Sequence, residues 1–174
     1  AVGYSMTSMM DPKAAISIDR LGGLYGQLPA FLAPQLRMLF EALLADEGPL
    51  VFNCSAGQDR TGFTSAMVLS ALRTPRDVIL ADYHLSTTYR RPEWEMPKIS
   101  PAVAESDPTA AFFAKMQAGP ARKPTPLVDA QGKALLLYAL EAVEQKYGSV
   151  EAYLDKALGV DAADIAKLRA MYLE

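Results

Sequence analysis

The chain has 174 residues, 51% of them apolar, with 17 basic and 20 acidic side chains, one cysteine and one histidine. That length and apolar content suit one domain around one substantial core, and a net charge of -3 leaves no basic footprint for nucleic acid. One cysteine and one histidine exclude an intrachain disulfide framework and a zinc ligand set, and a lone thiol suits a reducing compartment such as the cytoplasm.

In chain order, Ile16 to Ile18 is a weak candidate strand. Pro34 to Asp46 carries Leu36, Leu39, Phe40, Leu43 and Leu44 at helical spacing, and Gly48-Pro49 ends it. Leu50 to Asn53 is a short apolar run of the kind that forms a buried parallel strand. Thr61 to Leu72 reads as a helix that buries Phe63, Met67 and Leu69 to Leu72. Thr74-Pro75-Arg76-Asp77 supplies a cap, a first-turn proline and an acid for a helix running to about Thr87. Residues 90–126 are proline-rich and irregular, with a short helix around Pro108 to Gln117. Leu127 to Tyr147 is a strong helix stopped by Gly148, and Ser149 and Asp161 cap two final short helices. No apolar run approaches the ~20 residues that span a bilayer. The N-terminus lacks the charged-then-apolar pattern of a signal peptide.

The chemistry concentrates in Asn53-Cys54-Ser55-Ala56-Gly57-Gln58-Asp59-Arg60-Thr61-Gly62. A strand, a tight loop of small residues and a helix start would converge several backbone N–H groups on one point at the positive end of a helix dipole. Cys54 places a nucleophile there. A thiol beside such donors and Arg60 falls from ~8.5 to roughly 3.5–7.5, so it is substantially ionised near neutral pH. Gly57 lets the backbone turn with positive φ and approach an anion closely. Arg60 offers a planar fork that fits two phosphate oxygens, and Thr61 would donate to the sulfur when it leaves. Read structurally instead, Cys54 is a buried strand end and Arg60 a surface cation. The full Cys-x5-Arg-Thr-Gly spacing favours the phosphate-binding reading.

This loop resembles the phosphate-binding loop of the protein tyrosine phosphatase superfamily. More narrowly, Cys-Ser-Ala-Gly-Gln-Asp-Arg-Thr-Gly is similar to the atypical loop of a bacterial tyrosine phosphatase group that acts on phosphotyrosine, other phosphoproteins and phosphoinositides. Ile79 to Ser86, which holds Asp82-Tyr83-His84-Leu85-Ser86, and Tyr147 to Leu154 with Leu158-Gly159-Val160 are similar to later parts of that group. The resemblance implies an α/β fold, a parallel central sheet flanked by helices. It implies hydrolysis of phosphate monoesters, protein phosphotyrosine first, through a phosphocysteine, with no metal or organic cofactor. Cys54, Arg60, Asp59 and Thr61 would be catalytic, and Ser55, Ala56, Gly57, Gln58 and Gly62 would line the substrate. In that group the Asp beside the loop arginine serves as general acid. Asp59 matches it, and a bound dianion would favour its protonated form. Asp59 pairing with a cation to shape the loop is the alternative, and Asp82 is a second acid candidate. His84 has no partner pattern and reads as a half-buried helix residue.

Two positions depart from the family pattern. Asn53 stands where histidine is common, and Gln58 stands where the group often has lysine. Loss of that cation tilts the substrate towards phosphoprotein and away from inositol phosphates. Residues 90–126, with Arg90, Arg91, Trp94, Phe112, Phe113, Arg122 and Lys123, correspond to a region that forms a lid in the group. Only one clear strand is visible, and a parallel strand needs neighbours. The expectation is therefore a mostly helical C-terminal portion of a single phosphatase domain. A companion polypeptide or a preceding segment would supply the N-terminal strands, and secretion stays open if such a segment exists. The other functional classes are a lipid phosphatase, a rhodanese-type sulfurtransferase and a non-catalytic phosphate-binding module.

Overall fold

A computed structural model describes residues 18–46, 48–91, 98–117 and 125–173. Trp94, Arg122, Lys123 and most of the weak Ile16 to Ile18 strand lie outside the described residues. Within them the chain is helical. The elements are α1 (Ile18–Phe31), α2 (Ala33–Ala45), α3 (Asp59–Ala71), α4 (Arg76–Tyr89), α5 (Pro101–Ser106), α6 (Pro108–Gln117), α7 (Leu135–Tyr147), α8 (Val150–Tyr153) and α9 (Ala162–Tyr172). A π-helical turn, Leu154–Leu158, continues α8.

Helix α3 carries Phe63, Ala66, Met67 and Ala71 into the core, where Phe63 and Met67 are wholly buried. Around it stand Leu36 and Phe40 of α2, Leu136, Leu140 and Val143 of α7, and Tyr153, Leu154 and Leu168 from the C-terminal helices. Helices α1 and α7 pack against each other more extensively than any other described pair, and glycines let them approach. A Cβ on Gly22 would lie 3.0 Å from the Tyr138 ring, and one on Gly26 would just touch Ala142. The axis bends by 52° between α1 and α2. Near this bend the Tyr153 hydroxyl donates to the Pro29 carbonyl at 2.7 Å.

Helix α9 ties down the carbonyl ends of the two helices that flank the loop. Lys167 donates to Leu44 O at 2.8 Å and Tyr172 to Leu43 O at 2.9 Å, closing α2. Arg169 donates to Leu72 O at 2.6 Å, closing α3. Cationic donors suit these ends, where unpaired carbonyls concentrate negative partial charge. α9 itself starts from a capping box between Asp161 and Asp164, and Ser149 caps α8, as the sequence suggests.

Several expectations need correction. Leu50 to Asn53 forms no strand among the described residues: it joins no ladder there, and Val51 is 88% exposed. A strand is a pairing and not a property of one segment, so an apolar run without neighbours stays irregular. The parallel sheet is likewise absent among the described residues, where one isolated antiparallel bridge joins Val128 to Ala134. That bridge also shortens the long helix to Leu135–Tyr147. The Asp129 side chain accepts the N–H groups of Gln131 and Lys133 at 2.8 and 2.9 Å, and Gly132 has φ +82°, so the preceding residues form a turn. Asp-x-x-Gly is a turn signal that apolar periodicity overrode. Thr74 does not cap α4. Pro75 occupies the N-cap position without a side-chain bond. Helices α1 and α5 were not expected, although Ser100 caps α5 by accepting from Val103 N–H. No single helix among the described residues is long and apolar enough to cross a membrane.

Candidate active site

The loop sits where an exposed extended segment turns into a buried helix. Gln58 is the N-cap of α3, and the first turn closes with Gly62 N–H donating to Gln58 O at 2.7 Å. Gly57 has φ +68°, the left-handed conformation that glycine adopts without strain. Together the turn and the helix start aim donors at the half-buried Cys54.

Burial alone would push the Cys54 thiol up. Hydrogen bonds from the Thr61 hydroxyl and from the backbone N–H groups of Thr61, Ala56 and Gly57 outweigh it, and lower the thiol from 9.0 to about 7. The Thr61 hydroxyl is buried and closes no regular hydrogen bond among the described residues, and its interaction with the nearby thiol is the largest of those that lower it. Arg60 is exposed at the mouth, with Nη2 donating to Ser55 Oγ at 3.2 Å. Asn53 is also exposed, and its amide donates to the Cys54 carbonyl at a long 3.4 Å.

Gln58 is turned inward. Its side chain is buried, and its Oε1 accepts from Arg90 Nη1 at 2.7 Å. A cation from the end of α4 thus reaches the position where the related loop has lysine. The Gln58 amide nitrogen is buried without a partner among the described residues. Gly62 faces the ring of Tyr83. A Cβ there would sit 2.7 Å from the Tyr83 ring, so the missing side chain admits Tyr83 against the first turn of α3.

Asp59 begins α3 and is exposed, but its Oδ1 accepts a bond from the hydroxyl of Tyr25 on α1. The Tyr25 oxygen in turn lies 2.6 Å from the Tyr83 hydroxyl on α4. Asp82, the other acid candidate, is exposed on α4, while its neighbour Tyr83 points inward. His84 is half-buried, as the sequence suggests, with its ring 5.4 Å from that of Tyr83. Sequence reasoning missed Tyr25. It is 34 positions from Asp59 and carries no local signal. Tyr83 stood inside a motif already singled out, but its partner could not be seen. No cluster of His, Cys, Asp or Glu suited to a metal occurs among the described residues.

A family model described as "Tyrosine phosphatase family" matches residues 5–174. A Cupriavidus necator protein named as a candidate tyrosine-protein phosphatase is 35% identical over 124 residues, covering 71% of this chain and 39% of the relative. A tyrosine-protein phosphatase of Nostoc commune is 31% identical over 153 residues, covering 87% and 48%. The triple specificity protein phosphatase PtpB of Mycobacterium tuberculosis is 32% identical over 140 residues, covering 75% and 46%. The chain therefore spans less than half the length of these relatives.

Proposed function

This chain belongs to the tyrosine phosphatase family, and we propose that it hydrolyses phosphate monoesters, protein phosphotyrosine first, through a phosphocysteine on Cys54. One observation carries this reading: a thiol held at about 7 by converging N–H and O–H donors, with a guanidinium at the same mouth. Donors that stabilise a thiolate also fit the oxygens of a phosphate dianion.

In the first step Cys54 Sγ attacks phosphorus. The S–P bond forms, the P–O ester bond breaks, and a proton passes from Asp59 to the leaving oxygen. Arg60 swings from Ser55 to hold two phosphate oxygens, while Ala56 and Gly57 N–H groups hold the others. In the second step water attacks phosphorus and gives its proton to the Asp59 carboxylate. The S–P bond breaks, and the Thr61 hydroxyl stabilises the departing thiolate. No step calls for a metal or organic cofactor. Hydrolysis of p-nitrophenyl phosphate by wild type and Cys54→Ser tests the nucleophile, and a serine variant as active as wild type would refute it.

The Gln58–Arg90 contact favours a second reading, turnover of phosphoinositides, because it restores a cation beside the loop. Arg90→Ala should then cost more turnover of a phosphoinositide than of a phosphotyrosine peptide. Equal losses would remove that support. Residues 90–126 are proposed to act as a lid, with α5 and the Phe112–Phe113 pair of α6 among its parts. Amide exchange on α6 as slow as in α7, both with and without vanadate, would exclude a mobile lid. The family's parallel sheet also remains a proposal. The exposed apolar side chains of Leu50, Val51 and Phe52 suit a strand whose neighbours lie outside the described residues. No observation requires those neighbours to belong to a second polypeptide. A reducing compartment such as the cytoplasm would keep Cys54 active.

A further inference from the structure

The exposed carboxyl of Asp59 is gripped from the protein interior. Tyr25 is wholly buried on α1, and its hydroxyl donates to Asp59 Oδ1. It has a single proton to give, so between the two tyrosines Tyr83 is the donor, across 2.6 Å. A line of donors thus runs from Tyr83 on α4 through Tyr25 on α1 to Asp59 at the start of α3. Burial, then the neighbouring Tyr83 and Asp59, push the Tyr25 hydroxyl far above its ordinary range. Burial does the same for Tyr83, against the opposing pull of its bond to Tyr25. Neither phenol ionises at working pH, so both remain donors.

This line is costly to assemble, which argues that it is more than core packing. Two buried hydroxyls could each have ended on a backbone carbonyl, as Tyr153 does on Pro29. Instead they lead to the one acidic side chain of the loop. Tyr83 reaches Tyr25 only because Gly62 leaves room for its ring. Gly62 therefore serves Asp59 through Tyr83. An exposed aspartate at a helix start would otherwise rotate freely and sample geometries that reach no leaving group.

We propose that Tyr25 and Tyr83 are positioning residues for the reaction, pinning Asp59 Oδ1 so that Oδ2 is the oxygen that carries the proton to the leaving group. This rests on the reading of Asp59 as the general acid. With Oδ1 occupied as an acceptor, an acid proton resides on Oδ2. Its direction is then set by three helices and not by the rotamer preference of a surface side chain. The consequence is specific: losing the grip should harm expulsion of poor leaving groups and spare good ones, because only the poor ones need the proton.

The test compares kcat/KM, which reports only the steps through cleavage of the ester bond and not the later hydrolysis of phosphocysteine, for two substrates: phenyl phosphate, whose phenol resembles that of tyrosine with pKa ~10, and an aryl phosphate with a strongly electron-poor phenol. General acid catalysis contributes about 10²–10⁴-fold, and Asp59→Asn sets the ceiling in this protein. Tyr25→Phe should lower kcat/KM for phenyl phosphate by roughly 10–100-fold within that ceiling. It should change kcat/KM for the electron-poor ester little. Tyr83→Phe should give the same pattern more weakly. Adding Tyr25→Phe to Asp59→Asn should cost little more. Turnover of the electron-poor ester also reports that each variant folds with its nucleophile intact. If Tyr25→Phe does not fold, Tyr83→Phe carries the decision. Equal losses on both substrates, or none on either, would overturn the positioning role. If Asp59→Asn shows the leaving-group dependence and neither tyrosine variant does, only the positioning role falls. If Asp59→Asn lacks it too, the acid assignment falls and takes the positioning role with it.

Discussion

Thr61→Val separates two explanations of thiol activation, because valine keeps the shape and the backbone N–H of Thr61 and removes only the hydroxyl. The Cys54 thiol is lowered from 9.0 to about 7 against the opposing effect of burial, and the Thr61 hydroxyl leads the interactions that lower it. A hydrogen bond to a charged acceptor is worth about 1.5–3 kcal/mol, or roughly 1–2 pKa units. Partial exposure of the site and the three remaining backbone donors argue for the lower end. The valine variant should therefore titrate about one unit higher, and its thiolate fraction at neutral pH should drop from about half to about a tenth. The rate of iodoacetamide alkylation against pH measures this directly, without any substrate. Below about pH 7 stability should not suffer, since the hydroxyl closes no regular hydrogen bond to lose, while at higher pH the variant should forfeit part of the stability that the lowered thiol contributes. Arg60→Met should move the midpoint less, because its guanidinium bonds to Ser55 in the resting loop. A Thr61→Val thiol that titrates with wild type, or an Arg60→Met shift larger than that of Thr61→Val, would refute the assignment of activation to the hydroxyl.

Two further predictions concern stability. Because the folded Cys54 thiol lies below its ordinary value, the unfolded chain binds more protons between about pH 7 and 9. The thiolate contribution is then fully present above that window and is lost as pH falls through about 7, so the Tm advantage of wild type over Cys54→Ser should grow from pH 6 to pH 9. Gly62→Ala should destabilise despite the better helix propensity of alanine. The propensity gain is about 1 kcal/mol, while a Cβ at 2.7 Å from a buried ring costs about 1–3 kcal/mol in overpacking. The expected net loss is about 1 kcal/mol, a Tm drop of roughly 3 °C, with a larger activity loss on phenyl phosphate than on the electron-poor ester. A variant as stable as wild type would show that Tyr83 yields at little cost.

Local signals proved readable where the chemistry is local. Ser149 and Asp161 cap helices because a short oxygen side chain meets its own backbone two or three residues on. The apolar spacing of Leu36, Leu39 and Phe40 marks the buried face of α2 for the same reason of short range. Where an element depends on a distant partner, local reading failed. Leu50 to Asn53 has strand composition but no neighbour among the described residues. Helix α1 contains two adjacent glycines and Pro29, poor helix formers that do not suggest a helix. Its partner α7 explains it, since Gly22 and Gly26 are the price of close approach.

The sequence by itself determined which residues share the loop, because a segment of this spacing brings Cys54, Gly57, Arg60 and Thr61 together within one turn of chain. It could not determine what holds the Asp59 carboxyl or that Arg90 would reach Gln58. Asp59 is gripped by Tyr25 from 34 positions away, and Gln58 receives Arg90 from 32 away. Those contacts exist only once α1, α3, α4 and α7 have packed. Side-chain hydrogen bonds across such separations follow from helix placement, and helix placement follows from which small and large residues meet in the core.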